Sequence, residues 1–327
     1  MLVTADSNVS VVHKHSSCYI NSSVYVAHNT VSTISYKNSD SWITLNSIEQ
    51  SIKKKIEKVG VPLKDWDISI NYGIKTGLND AFIISTEKKD ELIAADPKSA
   101  EIIRPILRGR DIKRYEYHFA ELWIIATFPS KKYNIDDYPA IKNYLLSFGI
   151  ERLEQTGNKQ IVNGVEIRSR KKTSNKWFET QDSISYWNDL NKQKIIWGEI
   201  SDKPKFSIDE NGQYFPEATT FLMTGNHLKY LLGFLNSTFS EYFFAKYGTT
   251  TGMGTLRWKK YLIELLPIPV VTPEKENEFV SLVDQVLMSN GKDQMAIEQV
   301  DNAIYMLLNF DATEIDFIEN MVKQGAH

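Results

Sequence analysis

Gly73 and Gly77 stand four residues apart around Ile74-Lys75-Thr76, with strand-like apolar runs on either side, Asp67–Ile70 before and Ala81–Ile84 after. Two glycines so close point to positive backbone dihedrals or close approach of the main chain to a partner, in a tight connection between the flanking strands. The chain is therefore expected to turn tightly here, with Lys75, Thr76 and Asn79 carried on the turn. Some thirty residues later Arg108, Arg110, Lys113 and Arg114 fall within seven positions, with Asp111 among them and able to orient or pair with an arginine such as Arg110.

Around this joint the patterning predicts alternating short elements. Residues 1–45 alternate apolar and polar positions and read as short strands. Asn46 is placed to cap a helix through Val59, with Gly60 ending it, and the lysines at 53–55 read as its solvated face. Glu87–Ala95 and Ser99–Leu107 read as short helices, Leu122–Phe128 as a buried strand, and Ile135–Leu153 as a helix. Strands follow at Lys194–Trp197, Lys205–Ile208 and Thr219–Met223, then helices at Leu228–Leu235, capped by Asn226, and at about Ser237–Tyr247. The C-terminal piece is helical, with Asp311 and Glu314 in a capping-box spacing.

The formal net charge of −3 conceals an uneven distribution. From Pro273 onward eleven acidic residues face three lysines, so the rest of the chain carries a positive surplus. The densest part runs from Lys159 to Lys176, where Arg168, Arg170, Lys171, Lys172 and Lys176 have only Glu166 against them, and Trp177, Phe178, Tyr186 and Trp187 follow. Basic residues interleaved with aromatics suit a nucleic-acid backbone and its bases. A third polar loop, with Thr250 and three glycines ahead of Arg257, Trp258 and Lys259, suits phosphate contact.

Catalytic signatures are missing. There is no F-x-G-x-G cofactor loop, no [N/D]-P-P-[Y/F] loop and no Walker loop. Asp182, Glu199 and Lys203 form a loose candidate set for a metal-dependent nuclease. His13 and His15 lack further ligands at a matching spacing, and Cys18 stands alone, so no metal is expected. No uninterrupted apolar run approaches the roughly 18 residues a spanning helix needs. No basic-then-apolar leader opens the chain either, which makes a cytoplasmic, membrane-free location the expectation.

The order Gly73-Ile74-Lys75-Thr76-Gly77-Leu78-Asn79-Asp80-Ala81-Phe82, then Glu101-Ile102-Ile103-Arg104-Pro105-Ile106-Leu107-Arg108-Gly109-Arg110-Asp111-Ile112, then a strand holding Leu122 and Trp123, resembles the TaqI-like C-terminal specificity domain. That domain belongs to adenine-N6 DNA methyltransferases and Type IIG restriction-modification enzymes. Gly60-Val61-Pro62-Leu63-Lys64-Asp65-Trp66 and Leu266-Pro267-Ile268-Pro269 add to the resemblance, which spans about residues 46–320.

The resemblance implies an α+β fold, a mixed β-sheet target-recognition domain with a C-terminal helical bundle, that clasps duplex DNA and helps present a flipped adenine. The expected organisation is a β-rich N-terminal remnant of an upstream domain plus linker helix (1–60), a recognition domain (61–272) and an acidic helical unit (273–327). The chain itself is expected to be non-catalytic and to hold no cofactor. Its expected partners are double-stranded DNA and a methyltransferase domain, upstream in the same polypeptide or separate, with S-adenosylmethionine, and Mg2+ if a nuclease is fused, in the parent enzyme. The expected DNA contacts are Lys75, Thr76, Asn79, Arg108, Arg110, Lys113, Arg114, Arg168, Arg170, Lys171, Lys172, Lys176, Thr250, Arg257 and Lys259. A Type I-style specificity subunit and a nuclease domain are the alternatives.

Overall fold

The computed structural model describes residues 45–247, 249–250 and 256–325 and the antiparallel strand pair Val9–Val12 and Val31–Ile34; for that pair and for residues 247, 249 and 250 it describes the backbone alone. The expectations for Cys18, His13 and His15, and the glycine loop at 252–254, lie outside the described residues.

Two four-stranded sheets build the centre. The first is antiparallel, in the order Phe206–Asp209, Lys194–Gly198, Thr220–Gly225, Ile68–Tyr72. The second orders Phe215–Pro216, Ile103–Leu107, Leu122–Ile125 and Ile83–Ser85, and its first pair is parallel. Strand alternation divides the first sheet's side chains between two cores. Ile70, Ile195, Trp197, Phe221 and Met223 pack toward the helices, while Leu222 meets Ile106 and Ile124 of the second sheet.

The helices close over the first sheet. Asn46 caps Ser47–Val59 through a complete capping box with Glu49, as its position predicts. Pro273–Met288 packs on Gln294–Leu307 and on Leu228–Leu235, and Ala312–Lys323 packs on Thr238–Tyr247 and Ser47–Val59. One core cluster joins all of these to the sheet. The lysine face of the first helix is not wholly solvated: Lys55 Nζ lies 2.6 Å from Glu314, whose partner in a second capping box is Asp311. The two segments Gly60–Pro62 and Pro267–Pro269, far apart in sequence, pair antiparallel and so bring the two ends of the intervening stretch together.

Four local expectations are corrected. Ala81–Ile84 is not a continuous strand: Asn79–Phe82 makes a helical turn, with Ala81 and Phe82 amides donating to the Leu78 carbonyl, and the strand begins at Ile83. Ser99–Leu107 is not helical beyond Glu101, because Ile103–Leu107 pairs with Leu122–Ile125 and buries Ile103, Ile106 and Leu107. The helix expected over Ile135–Leu153 is split into Pro139–Leu146 and Ile150–Leu153 by Gly149, at φ 86°. Asn226 does not cap Leu228–Leu235; it donates to Asp67, and His227 at φ 61° leads into the helix.

A candidate nucleic-acid interface

The Gly73–Asn79 loop is held from two sides. On one side the Gly73 and Ile74 amides donate to the carbonyls of Thr220 and Pro216, each at 2.8 Å. The approach is so close that a Cβ at Gly73 would overlap the Glu217 carbonyl oxygen. On the other side the Lys75 carbonyl accepts from Gln181 and Asp182, and the Thr76 carbonyl accepts from Arg170 at 2.8 Å. Gly77, at φ 79°, completes the turn expected from the sequence.

Thr76 and Arg170 are therefore not offered to a ligand, contrary to expectation. Thr76 is 1% exposed, and its hydroxyl donates to Asn79 Oδ1 at 2.6 Å. Arg170 is 4% exposed and spends its guanidinium on the carbonyls of Leu153, Thr76, Glu179 and Trp177, at 2.6–2.8 Å. Burial lowers the Arg170 guanidinium to about 10, against the raising effect of Glu179.

The arginine turn divides in the same way. Arg108 pairs with Asp111 through Nε and Nη2, each 2.8 Å from a carboxylate oxygen. Asp111's arginine partner is thus Arg108, where the sequence suggested Arg110. Burial disfavours the Asp111 charge, but the Arg108 hydrogen bonds outweigh it and hold the carboxyl below its usual range. Arg114 points to the helices instead, donating to the Asn236 carbonyl at 3.0 Å, so it ties the turn to the core. Arg110 and Lys113 remain exposed, with Lys113 Nζ resting on the Arg110 carbonyl at 3.0 Å.

These two cations line a groove of about 450 Å³ with Gly109, Gly198, Glu199, Ser201, Lys205 and Thr219. Its floor is glycine on glycine: a Cβ at Gly198 would lie 3.3 Å from the Gly109 Cα. Thr219 at its rim donates to Glu217, which also accepts from Asn79 Nδ2 at 3.3 Å, so the rim connects to the Gly73–Asn79 loop. Arg257 reaches the same place by pairing with Glu199 at 3.3 Å. Lys259 precedes the helical turn Lys260–Ile263 and is half-buried. Thr250 pairs with Leu256 through its backbone, and its side chain lies outside the described residues.

Lys205, Thr219 and Glu217 escape a search of the sequence. Thr219 and Glu217 are single polar residues beside strands, and Lys205 sits with Asp202 and Lys203, its ion-pair partner being Asp202 at 2.6 Å; only sheet pairing brings these segments together. Glu199, considered as a nuclease carboxylate, is the ion-pair partner of Arg257. Among the described residues no group of three or more His, Cys, Asp or Glu is placed to hold a metal ion.

A second basic group sits on the hairpin Lys159–Val162/Val165–Arg168 and the irregular segment leaving it. Arg168, Lys171, Lys172 and Lys176 are exposed there, the last with its ammonium 5.5 Å from the Phe178 ring.

Residues 104–268 match the TaqI-like C-terminal specificity domain, half of the chain. The chain belongs to that family. The matched stretch starts in the strand carrying Arg104 and ends in the strand Pro267–Pro269, so it contains the arginine turn, the groove and the basic hairpin of this TaqI-like domain. The Type II methyltransferase M.PaeR7I of Pseudomonas aeruginosa is 22% identical over 232 residues, covering 70% of this chain and 37% of that protein. The Type IIL restriction-modification enzyme MmeI, solved in complex with DNA, shares the fold at a TM-score of 0.54 and 14% identity, covering 81% of this chain and 36% of that one. The TaqI-like chain thus spans little more than a third of these relatives.

Proposed function

We propose that this chain reads the sequence of double-stranded DNA for a restriction-modification adenine-N6 methyltransferase, as its non-catalytic specificity module. The observation that carries the reading is the convergence of Arg110, Lys113, Lys205 and Thr219 on one groove lined by Gly109 and Gly198, with Glu217 and Asn79 tied to it by hydrogen bonds through Thr219. The cations grip phosphate or guanine, and the hydroxyl, amide and carboxylate meet other base edges. Lys75, Arg168, Lys171, Lys172, Lys176, Arg257 and Lys259 add contacts to the DNA backbone. Chemistry resides in a methyltransferase domain that binds S-adenosylmethionine, in the same polypeptide or a partner chain, in the cytoplasm. Among the described residues no helix is long and apolar enough to cross a membrane.

The test is duplex binding as a function of salt. Wild-type affinity falls steeply between about 50 and 200 mM salt, and each phosphate-gripping lysine replaced by alanine lowers the slope of log K against log salt by about 1. Arg110→Ala weakens binding by roughly 1–3 kcal/mol where it reads guanine. Salt-independent binding, or none, rejects the reading.

A further inference from the structure

The hairpin Lys159–Arg168 is a two-stranded ribbon that joins neither four-stranded sheet, and its second strand lies beside the helical turn Ile150–Leu153. Its turn, Asn163 at φ 51° and Gly164 at φ 79°, has the backbone of a tight hairpin, and a Cβ at Gly164 would meet nothing within 4 Å. Its base is firmly held: Ser169 N donates to Asn158 O, Gly157 N to Arg170 O and Arg170 N to Glu154 O, at 2.9–3.0 Å, above the buried Arg170 guanidinium. The tip carries the opposite of what water favours. Ile161 is 78% and Val165 is 62% exposed.

The register pairs Ile161 with Glu166 and Val162 with Val165. Alternation therefore puts Lys159, Ile161, Glu166 and Arg168 on one face and Val162 and Val165 on the other, so the tip is apolar on both faces. Such a tip, whose Ile161 and Val165 join no hydrophobic cluster among the described residues, gains from a partner. Charge says which. Glu166, the acid of the ribbon, is neutralised by Lys159 at 2.8 Å, leaving Arg168, Lys171 and Lys172 exposed in surplus.

We propose that the hairpin enters the major groove of duplex DNA tip first, with Arg168, Lys171 and Lys172 on the phosphates and Ile161 and Val165 against thymine methyl groups. A two-stranded ribbon fits that groove, and thymine's 5-methyl is the apolar feature a base edge presents there. The inference rests on the DNA-reading function above and adds a second reading element, separate from the Arg110 groove.

The experiment uses the whole chain and two random-sequence duplex pools, one built with thymine and one with uracil, which lacks the methyl. The wild type binds the thymine pool more tightly, by roughly fourfold for each methyl contact made. Ile161→Ser/Val165→Ser abolishes that preference while keeping the wild-type salt slope and melting temperature, whereas Lys171→Ala/Lys172→Ala lowers the slope and keeps the preference. Equal wild-type affinity for both pools, or a preference that survives the serine substitutions, overturns the hairpin's role while leaving the groove's intact. A tip variant that binds DNA normally but no longer associates with a methyltransferase domain also overturns it, in favour of a protein-docking tip. Failure of the wild type to bind either pool removes the DNA-reading function itself.

Discussion

Arg108 and Asp111 lock the arginine turn from within: the carboxylate takes the Arg108 backbone amide at 2.9 Å as well as Nε and Nη2 at 2.8 Å each. Three charge-assisted bonds to one buried acid fix the turn's shape and leave Arg110 to point outward. Removing the acid strands a partly buried guanidinium and an amide, so Asp111→Ala destabilises by about 2–4 kcal/mol in urea unfolding. Arg110→Ala changes stability by less than about 0.5 kcal/mol, since it is exposed and unpaired among the described residues. If both substitutions cost the same, the division of the turn into anchor and reader is wrong.

The same pair sets an acid limit. Asp111's carboxyl is held below its usual value in the fold, so the stability it contributes is fully present above its unfolded pKa of about 3.9. It is lost as pH falls through the lower, folded value. Denaturant midpoints measured from pH 6 downward should therefore drop below about pH 4, and less steeply in Asp111→Asn. Parallel acid limbs in the two proteins would count against this assignment.

Gly73 tests whether the loop must lie on the strand connection at Glu217–Thr220. A methyl there overlaps the Glu217 carbonyl and also crowds Thr220 Oγ1, and moving the side chain does not relieve the backbone overlap. Gly73→Ala should cost about 3 kcal/mol and carry Asn79 away from Glu217, weakening DNA binding. Gly164→Ala is the contrast: space is open and only the φ of 79° opposes it, so the loss is about 1–2 kcal/mol. Thermal unfolding of the two variants gives the order.

What the sequence could show follows physical range. Capping at Asn46 and Asp311 was legible because the partners, Glu49 and Glu314, sit three residues away. The strand Ile103–Leu107 was not, since Arg104-Pro105 breaks both periodicities and the pairing that decides it lies some twenty residues on. In the site, charge was visible and its direction was not. Arg168 and Arg170 stand two apart in one basic run, yet one is exposed and the other closes a carbonyl cage built from Leu153, Thr76, Glu179 and Trp177.

Buried and half-buried tyrosines set the alkaline limit. Burial pushes Tyr117 and Tyr138 up to about 12, and Tyr115, Tyr230 and Tyr305 upward as well. A raised folded pKa means stability is fully present below the unfolded value of about 10 and is lost as pH rises through the folded one. Stability should therefore hold to about pH 10 and decline from there toward pH 12. Tyrosinate absorbance should rise together with loss of helical circular dichroism; full ionisation with the fold intact would contradict the burial of these hydroxyls.

Arg170 shows how a cation inside a recognition module can matter to binding without touching DNA. Four carbonyls from three segments converge on its planar fork, and its aliphatic stem passes 3.0 Å from where a Gly77 Cβ would stand. Lysine carries the charge but cannot satisfy that geometry, so Arg170→Lys leaves carbonyls unpaired and costs about 2–4 kcal/mol. Because Arg170 holds the Thr76 carbonyl on one side and the hairpin base on the other, the substitution loosens both candidate reading elements at once. Its effect on DNA binding is thus a loss of sequence preference with an unchanged salt slope, the reverse of the Lys171→Ala/Lys172→Ala signature. A lowered slope in Arg170→Lys would mean that the guanidinium leaves its cage to meet phosphate.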